Sequence, residues 1–131
     1  MKNVKAVDIE SALSSLEIME GRTPHSPEEE VNEAFATLAP FDSGGVFVGA
    51  FVGDSPWERH AAGDELVHII KGTAQLIILS DGGEQTLTLG AGMVTVVPKG
   101  LWHRFHAPNG VTVLTATPQP TEHSVADDPR K

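Results

Sequence analysis

The sequence predicts an all-β fold, a sandwich or barrel of short antiparallel strands that follows short N-terminal helices. Three observations predict it. From Phe41 onward, about seven apolar or alternating runs are separated by turn residues. Twelve of the 13 glycines lie within residues 44–110, where tight connections between strands are needed. Apolar residues at helical spacing are confined to the first 40 residues.

The first predicted helix begins after Asp8, whose side chain is suited to cap a helix N-terminus. Its apolar positions recur at helical spacing: Ile9, Ala12, Leu13 and Leu16.

The second predicted helix begins with Ser26 as the cap, Pro27 at the first helical position and Glu29 three residues after the cap. Four apolar residues follow with a spacing that places them on one helix face: Val31, Ala34, Phe35 and Leu38. We expect this stripe to face the core or a partner, and Pro40 to close the segment.

The predicted strands are residues 46–52, 66–71, 74–79, 85–89, 94–97, 103–106 and 111–115. Asp81, Gly82 and Gly83 indicate a hairpin turn. After Pro118 the sequence is polar and contains prolines, which is typical of a tail. The predicted organisation is therefore an N-terminal helical extension (1–40), a barrel (41–118) and a polar C-terminal tail (119–131).

Composition narrows the functional classes. The length of 131 residues fits one domain, and the absence of cysteine excludes disulfides, thiolate metal sites and cysteine nucleophiles. A net charge of −9 disfavours binding to nucleic acid. No apolar run is long enough for a membrane span, and the N-terminus has no apolar core typical of a secretory signal, so we expect a cytoplasmic protein.

Side chains alternate between the two faces of a strand, and this alternation places several potential metal ligands on the same faces. Glu65 shares a strand face with Val67 and Ile69, and His103 shares one with Phe105, so both faces are predicted to be interior. Carboxylates and imidazoles inside an apolar barrel are costly unless they are paired or bound to a metal. Two further donors, Glu58 and His60, are two residues apart and share a face if that edge is extended. The same parity turns His68 and His106 to the opposite face.

The spacing of these residues resembles the two conserved motifs of the cupin superfamily. In the first motif, His60 precedes Glu65 by a four-residue gap, and six residues separate Glu65 from Gly72. In the second, five residues separate Gly92 from Pro98-Lys99-Gly100, and two more precede His103. The motifs are separated by the 19 residues 73–91. The resemblance implies a double-stranded β-helix, or jelly roll, and a metal site in the barrel.

Three positions depart from the family pattern. Glu58 stands where the family has the first histidine of His-x-His, and Ala107 stands where it has an asparagine that is not a metal ligand. Four residues, not five, separate Gly53 from Glu58. A glutamate can still donate an oxygen, so the implied ligands are Glu58, His60, Glu65 and His103. Glu58 could instead face solvent as the partner of Arg59 or Arg104.

The resemblance implies a divalent transition metal, with iron, manganese, nickel, cobalt and zinc all suited to nitrogen and oxygen ligands. It also implies a small-molecule ligand and a homodimer. We expect five residues to line the ligand pocket: Trp57, Val67, Ile69, Trp102 and Phe105. Three functions stay open at this point: a metal-dependent enzyme such as an oxygenase or isomerase, a non-catalytic ligand-binding or sensory module, and a metal-free structural protein.

Overall fold

The computed structural model describes residues 4–131, which contain two short helices and nine strands. The helices are α1 (Ile9–Ser14) and α2 (Glu28–Glu33). The strands are β1 (Met19–Arg22), β2 (Phe35–Phe41), β3 (Gly44–Asp54), β4 (Trp57–His60), β5 (Glu65–Ser80), β6 (Gly83–Gly90), β7 (Val94–Val97), β8 (His103–Pro118) and β9 (Thr121–Ser124). Neither helix has the length and hydrophobicity that crossing a bilayer would require.

Two strands of 16 residues, β5 and β8, form the centre of the fold and pair antiparallel along most of their length. Strand β8 also pairs with β3 and β4, and β5 pairs with β6 and β7. Strands β1 and β2 extend the sheet beyond β3, and β9 pairs with β4. All pairings are antiparallel except that of β1 with β3. The predicted fold class, an all-β jelly roll with short N-terminal helices, is confirmed.

All seven predicted strands are present. In two cases, two predicted strands are parts of one longer strand. Residues 66–71 and 74–79 belong to β5, and residues 103–106 and 111–115 belong to β8. Gly72 lets β5 continue through its register shift, because its φ is +78° and an added Cβ would lie 2.3 Å from the carbonyl oxygen of Gly110. The predicted hairpin is confirmed by the pairing of Ser80 with Gly83.

The core lies between the inward faces of the long strands, where buried and more exposed residues alternate. Its buried members are Phe51, Val67, Ile69, Ala74, Leu76, Ile78, Leu89, Val97, Phe105, Ala107, Val111 and Val113.

The start of the first predicted helix is confirmed, because α1 begins after Asp8 and the Asp8 carboxylate accepts the backbone N–H of Ser11 at 3.0 Å. The helix ends at Ser14, so Leu16 lies beyond it. The second is wrong beyond Glu33. There the chain enters β2, whose backbone pairs with β3, and the ring of Phe35 lies across Gly49, where an added Cβ would be 2.2 Å away. Pro40 is tolerated in this strand because β2 pairs on one side only.

The predicted cap of the second helix is also wrong. Pro27 occupies the N-cap position, and the hydroxyl of Ser26 instead accepts the backbone N–H of Thr23 at 2.8 Å. The apolar stripe predicted for this helix is therefore divided. Val31 remains on α2, Ala34 is its fully buried C-cap, and the other two members belong to β2.

Part of the predicted C-terminal tail is a strand. Residues Thr121–Ser124 form β9, and Thr121 pairs with His60 while His123 pairs with Glu58. The sequence did not indicate this strand because its side chains are all polar. The first 40 residues likewise supply β1 and most of β2, so they are not helical throughout. The division of the chain into 1–40, 41–118 and 119–131 as domains stays a prediction.

Candidate metal centre

Three of the predicted metal ligands lie at neighbouring strand ends. His60 is the last residue of β4, Glu65 is the first residue of β5, and His103 is the first residue of β8. The three residues are 3%, 6% and 2% exposed. One ligand atom from each lies within 4.8 Å of the others. The three side chains therefore converge on one interior site, and their role as metal ligands stays a prediction.

The carboxylate of Glu65 lies between the two imidazoles. Its Oε1 is 3.0 Å from Nε2 of His103, and its Oε2 is 3.4 Å from Nε2 of His60. The ring centroids of the two histidines are 5.3 Å apart. Each imidazole thus directs the same nitrogen, Nε2, toward one small volume.

Burial raises the pKa of the Glu65 carboxyl, but the hydrogen bond with His103 and the positive charge that the two nearby imidazoles can carry outweigh burial and lower the pKa from 4.5 to about 2. Burial lowers the pKa of His103, yet its hydrogen bond with Glu65, the negative charge there and the Leu101 carbonyl raise it above the ordinary 6.5. The metal-free site therefore favours an imidazolium–carboxylate pair at mildly acidic pH.

The other ring nitrogen of each histidine is held by a hydrogen bond. Nδ1 of His103 donates to the carbonyl oxygen of Leu101 at 3.0 Å. Nδ1 of His60 lies 3.0 Å from the hydroxyl of Thr121, which itself donates to Gln119 at 3.3 Å, so we assign the proton to Nδ1. Outer hydrogen bonds of this kind fix the tautomer and ring orientation of metal-binding histidines.

One atom tests directly whether a metal would fit. Nε2 of His60 is buried and has no hydrogen-bond partner within the described chain. Buried polar groups are normally paired, so an orphaned lone pair aimed at a carboxylate and a second imidazole calls for a cation or water there. His60, Glu65 and His103 therefore fit a divalent metal with two nitrogens and one carboxylate as protein ligands.

Two threonines that the sequence analysis missed support Glu65. The hydroxyl of Thr117 donates to Glu65 Oε2 at 2.6 Å, and it lies 2.7 Å from the hydroxyl of Thr115. Both threonines occupy inward positions on β8, two and four residues after the core residue Val113. The signal that could have found them was polar residues at positions where the period of two requires burial.

The fourth predicted ligand, Glu58, lies outside this cluster. It is 21% exposed, and its two oxygens lie 3.9 Å from Nη2 of Arg22 and 3.9 Å from Nε2 of His123. The structure thus brings together His60, Glu65 and His103 and gives Glu58 other neighbours. The alternative expectation, a solvent-facing Glu58 paired with Arg59, also differs from the structure, because Arg59 donates to Glu122 at 2.9 Å.

A cavity of about 460 Å³ opens beside Glu65. Its wall combines phenylalanine rings with polar groups: Phe35, Phe47, Phe51, Phe105, Arg22, Glu58, Thr115, Thr117, Thr121 and His123 are among the lining residues.

Of the five residues expected to line a pocket, Phe105 lies on this cavity. Val67 and Ile69 are fully buried in the core. Trp57 and Trp102 form a separate cluster with Leu79, and the guanidinium groups of Arg104 and Arg59 cover their rings at 4.6 Å.

His68 and His106 face away from the site, as parity predicted. His68 Nδ1 lies 3.1 Å from the carbonyl oxygen of Met93, and His106 pairs with Asp54.

The family model of the cupin domain, Cupin_2, matches residues 52–116, a range that contains all three clustered ligands. Solved cupin structures have the same fold, among them a cupin-2 domain protein from Shewanella frigidimarina NCIMB 400. That protein is 21% identical, with a TM-score of 0.60 over 90% of this chain and 94% of its own. The chain belongs to the cupin superfamily. This cupin is also similar in fold to a protein from Neisseria meningitidis, with 19% identity and a TM-score of 0.58 over 92% of this chain and 100% of that one.

Among curated proteins, this cupin is similar to the acireductone dioxygenases of two strains of Rhodopseudomonas palustris. The identity is 45% over 49 residues, which is 37% of this chain. The matched segment spans 29% of the length of those relatives.

Proposed function

We propose that this cupin binds a divalent transition metal through His60, Glu65 and His103 and acts as an oxygenase on a small molecule held in the adjoining cavity. The observation that carries the proposal is the convergence of three buried donors within 4.8 Å, one of which, His60 Nε2, has no hydrogen-bond partner among the described residues.

The composition of the ligand set favours ferrous iron. Two histidines and one carboxylate with open positions are typical of non-haem Fe(II) oxygenases. Manganese, nickel, cobalt and zinc suit the same nitrogen and oxygen donors, and the chain has no cysteine to select a softer metal. The similarity to acireductone dioxygenase supports an oxygenase over the 49 residues that it covers.

When bound, such a metal would supply Lewis-acid and redox chemistry at its open positions. The chain itself contributes orientation and a dry environment. Thr117 fixes one carboxylate oxygen of Glu65 by a hydrogen bond of 2.6 Å, and the Leu101 carbonyl fixes the plane of the His103 ring. Phe51 and Phe105 form an apolar wall that displaces water from a bound ligand.

The test uses purified protein loaded with Fe(II) under anaerobic conditions. We expect one equivalent of iron per chain by elemental analysis. Nitric oxide, which occupies open positions on ferrous iron as dioxygen does, should then produce the half-integer-spin electron paramagnetic resonance signal of a ferrous nitrosyl. Iron that binds without reacting with nitric oxide would contradict the oxygenase and favour a non-catalytic ligand-binding cupin. Failure of all five metals to bind would contradict the metal site itself.

We further expect a homodimer, as the family resemblance implied, and a cytoplasmic location. Light scattering at micromolar concentration should give twice the 13.9 kDa mass of one chain. A mass of 13.9 kDa that persists as the concentration rises would contradict the dimer.

A further inference from the structure

Arg22 is a buried cation on the wall of the cavity. It is the last residue of β1, and it is 6% exposed. Its guanidinium group lies 4.6 Å above the ring of Phe51 and 5.6 Å from the ring of Phe35. The two rings lie against the planar guanidinium group, and Arg22 lines the cavity.

The donors of Arg22 are poorly satisfied. Within residues 4–131, its Nε is buried without a hydrogen-bond partner, and the neighbouring carboxylate of Glu58 is 3.9 Å from Nη2, beyond hydrogen-bond distance. Burial lowers the pKa of Arg22 and the charge of Glu58 partly offsets this, but a guanidinium stays protonated in proteins. Burying such a charge is costly unless it is paired and hydrogen-bonded.

Two other arginines of the described chain pair their charge with a carboxylate. Arg59 also covers an aromatic ring, that of Trp102, and its Nε is likewise buried without a partner among the described residues, but its Nη2 donates to Glu122 at 2.9 Å. Arg130 donates to Asp128 and to the carbonyl oxygen of Ser80. Arg22 stacks on aromatic rings with no carboxylate of the described chain within hydrogen-bond distance, and it lines the cavity.

We propose that Arg22 binds the carboxylate of a small molecule whose apolar body packs against Phe35, Phe51 and Phe105. The planar fork of a guanidinium matches the two oxygens of a carboxylate. Since the same cavity is lined by Glu65, this ligand is the substrate class of the oxygenase, and to that extent the inference rests on the proposed function.

The charges around the cavity are consistent with an anionic ligand. With one divalent metal bound, the charges of the metal, Arg22, Glu58 and Glu65 sum to +1, and Glu58 lies beside Arg22 but beyond hydrogen-bond distance. A third carboxylate on the wall, that of Glu28, belongs to an exposed residue and is screened by water and salt.

The test compares benzoate with benzamide, which has nearly the same shape and no charge. Calorimetry is performed on the Zn(II)-loaded protein, because zinc is redox-inert, and is repeated in the presence of a chelator. We expect wild type to bind benzoate at least about 10-fold more tightly than benzamide, because a hydrogen bond to a charged group is stronger than one to a neutral group.

Three substitutions identify the group responsible. Arg22→Gln should weaken benzoate binding about 10- to 100-fold, and Arg22→Lys should weaken it less, because charge is retained and the fork is lost. Glu58→Gln should strengthen it, because the carboxylate that competes for Arg22 is removed. The matched control Arg59→Gln removes a stacked arginine outside the cavity and should leave binding unchanged.

Equal binding of benzoate and benzamide, or wild-type benzoate affinity in Arg22→Gln, would overturn the proposal. So would the absence of benzoate binding by wild type at about 10 mM, weaker than an ordinary specific ligand. If Arg22→Gln fails to fold, the opposite changes expected for Arg22→Lys and Glu58→Gln decide. Zinc affinity, measured separately, distinguishes the two proposals: benzoate binding that depends on Arg22 without any metal binding would contradict the proposed function alone.

Discussion

The cavity has two walls that satisfy their polar groups in opposite ways. On the metal wall, where Glu65 lines the cavity and His60 and His103 contact Glu65 from behind, hydrogen bonds hold both Nδ1 atoms and both carboxylate oxygens. On the arginine wall, formed by Arg22 with Phe35 and Phe51, aromatic rings hold the charge, and the Nε of Arg22 has no partner among the described residues.

This difference indicates what each wall is prepared to receive. A hydrogen-bond network that orients all three candidate ligands and leaves the lone pair of one nitrogen unpaired is suited to a small ion of defined geometry. A cation that is stacked on rings with its N–H donors free is suited to a planar anion attached to an apolar body. The predictions below alter one wall and measure the other.

The largest effect is expected for His103→Ala, which removes one of two imidazoles from the metal wall. Metal affinity by calorimetry should fall at least about 100-fold, since even the loss of an outer partner costs up to that much. The matched control is His106→Ala, on the same strand but facing away and paired with Asp54. Unchanged metal affinity in His103→Ala would mean that the three residues are not the site.

The metal-free protein should be most stable in a mildly acidic window. The pKa of Glu65 is lowered from 4.5 to about 2, so its stabilisation is complete above pH 4.5 and is lost as the pH falls toward 2. The pKa of His103 is raised above 6.5, so its stabilisation is complete below pH 6.5 and is lost as the pH rises through the folded-state pKa.

Thermal melts in chelator across this range measure the effect. Arg22 stays protonated throughout, so the arginine wall should not contribute to the pH dependence. Glu65→Gln, which removes the carboxylate of the pair, should flatten both flanks. A melting temperature that rises steadily from mildly acidic to alkaline pH would contradict the pairing of Glu65 with His103.

A smaller effect is expected for Thr117→Val, which keeps the side-chain shape and removes the hydroxyl that donates to Glu65. Metal affinity should fall about 10-fold, the lower end for loss of an outer hydrogen bond to a ligand. Thr86→Val, at an exposed position of β6, is the control. Equal affinities of the two variants would show that Glu65 needs no orientation by Thr117.

The smallest effect on metal is expected for Glu58→Gln. Because Glu58 lies beside Arg22 and His123 rather than in the metal cluster, metal affinity should change by no more than about threefold, as for a partly exposed charge. A loss comparable to that of His103→Ala would restore Glu58 as the fourth ligand and would join the two walls into one site.

The metal wall was predictable from the sequence and the arginine wall was not. His60, Glu65 and His103 have the spacing of the two cupin motifs. They lie in or beside strands that the sequence marks clearly by alternating apolar residues and flanking glycines. Arg22 lies in a four-residue strand with no hydrophobic period, so nothing local indicated either its strand or its burial.

The errors of the fold prediction have the same origin. Phe35 and Leu38 fit helical spacing as well as a strand, and pairing with β3, a contact between distant segments, decided the outcome. Thr121 lies in a polar segment, and only the pairing of β9 with β4 brings it to His60.

The parallel pairing of β1 with β3 has a consequence for how such a protein can diversify. β1 has four residues, precedes the conserved motifs and pairs only with β3. The residue proposed to select the ligand thus lies on a short peripheral segment, whereas the residues proposed to bind the metal lie at the ends of β4, β5 and β8. If both proposals hold, exchange of this one segment would change substrate preference while leaving the reaction chemistry intact, so that a lineage would acquire a new substrate without first losing its old catalyst.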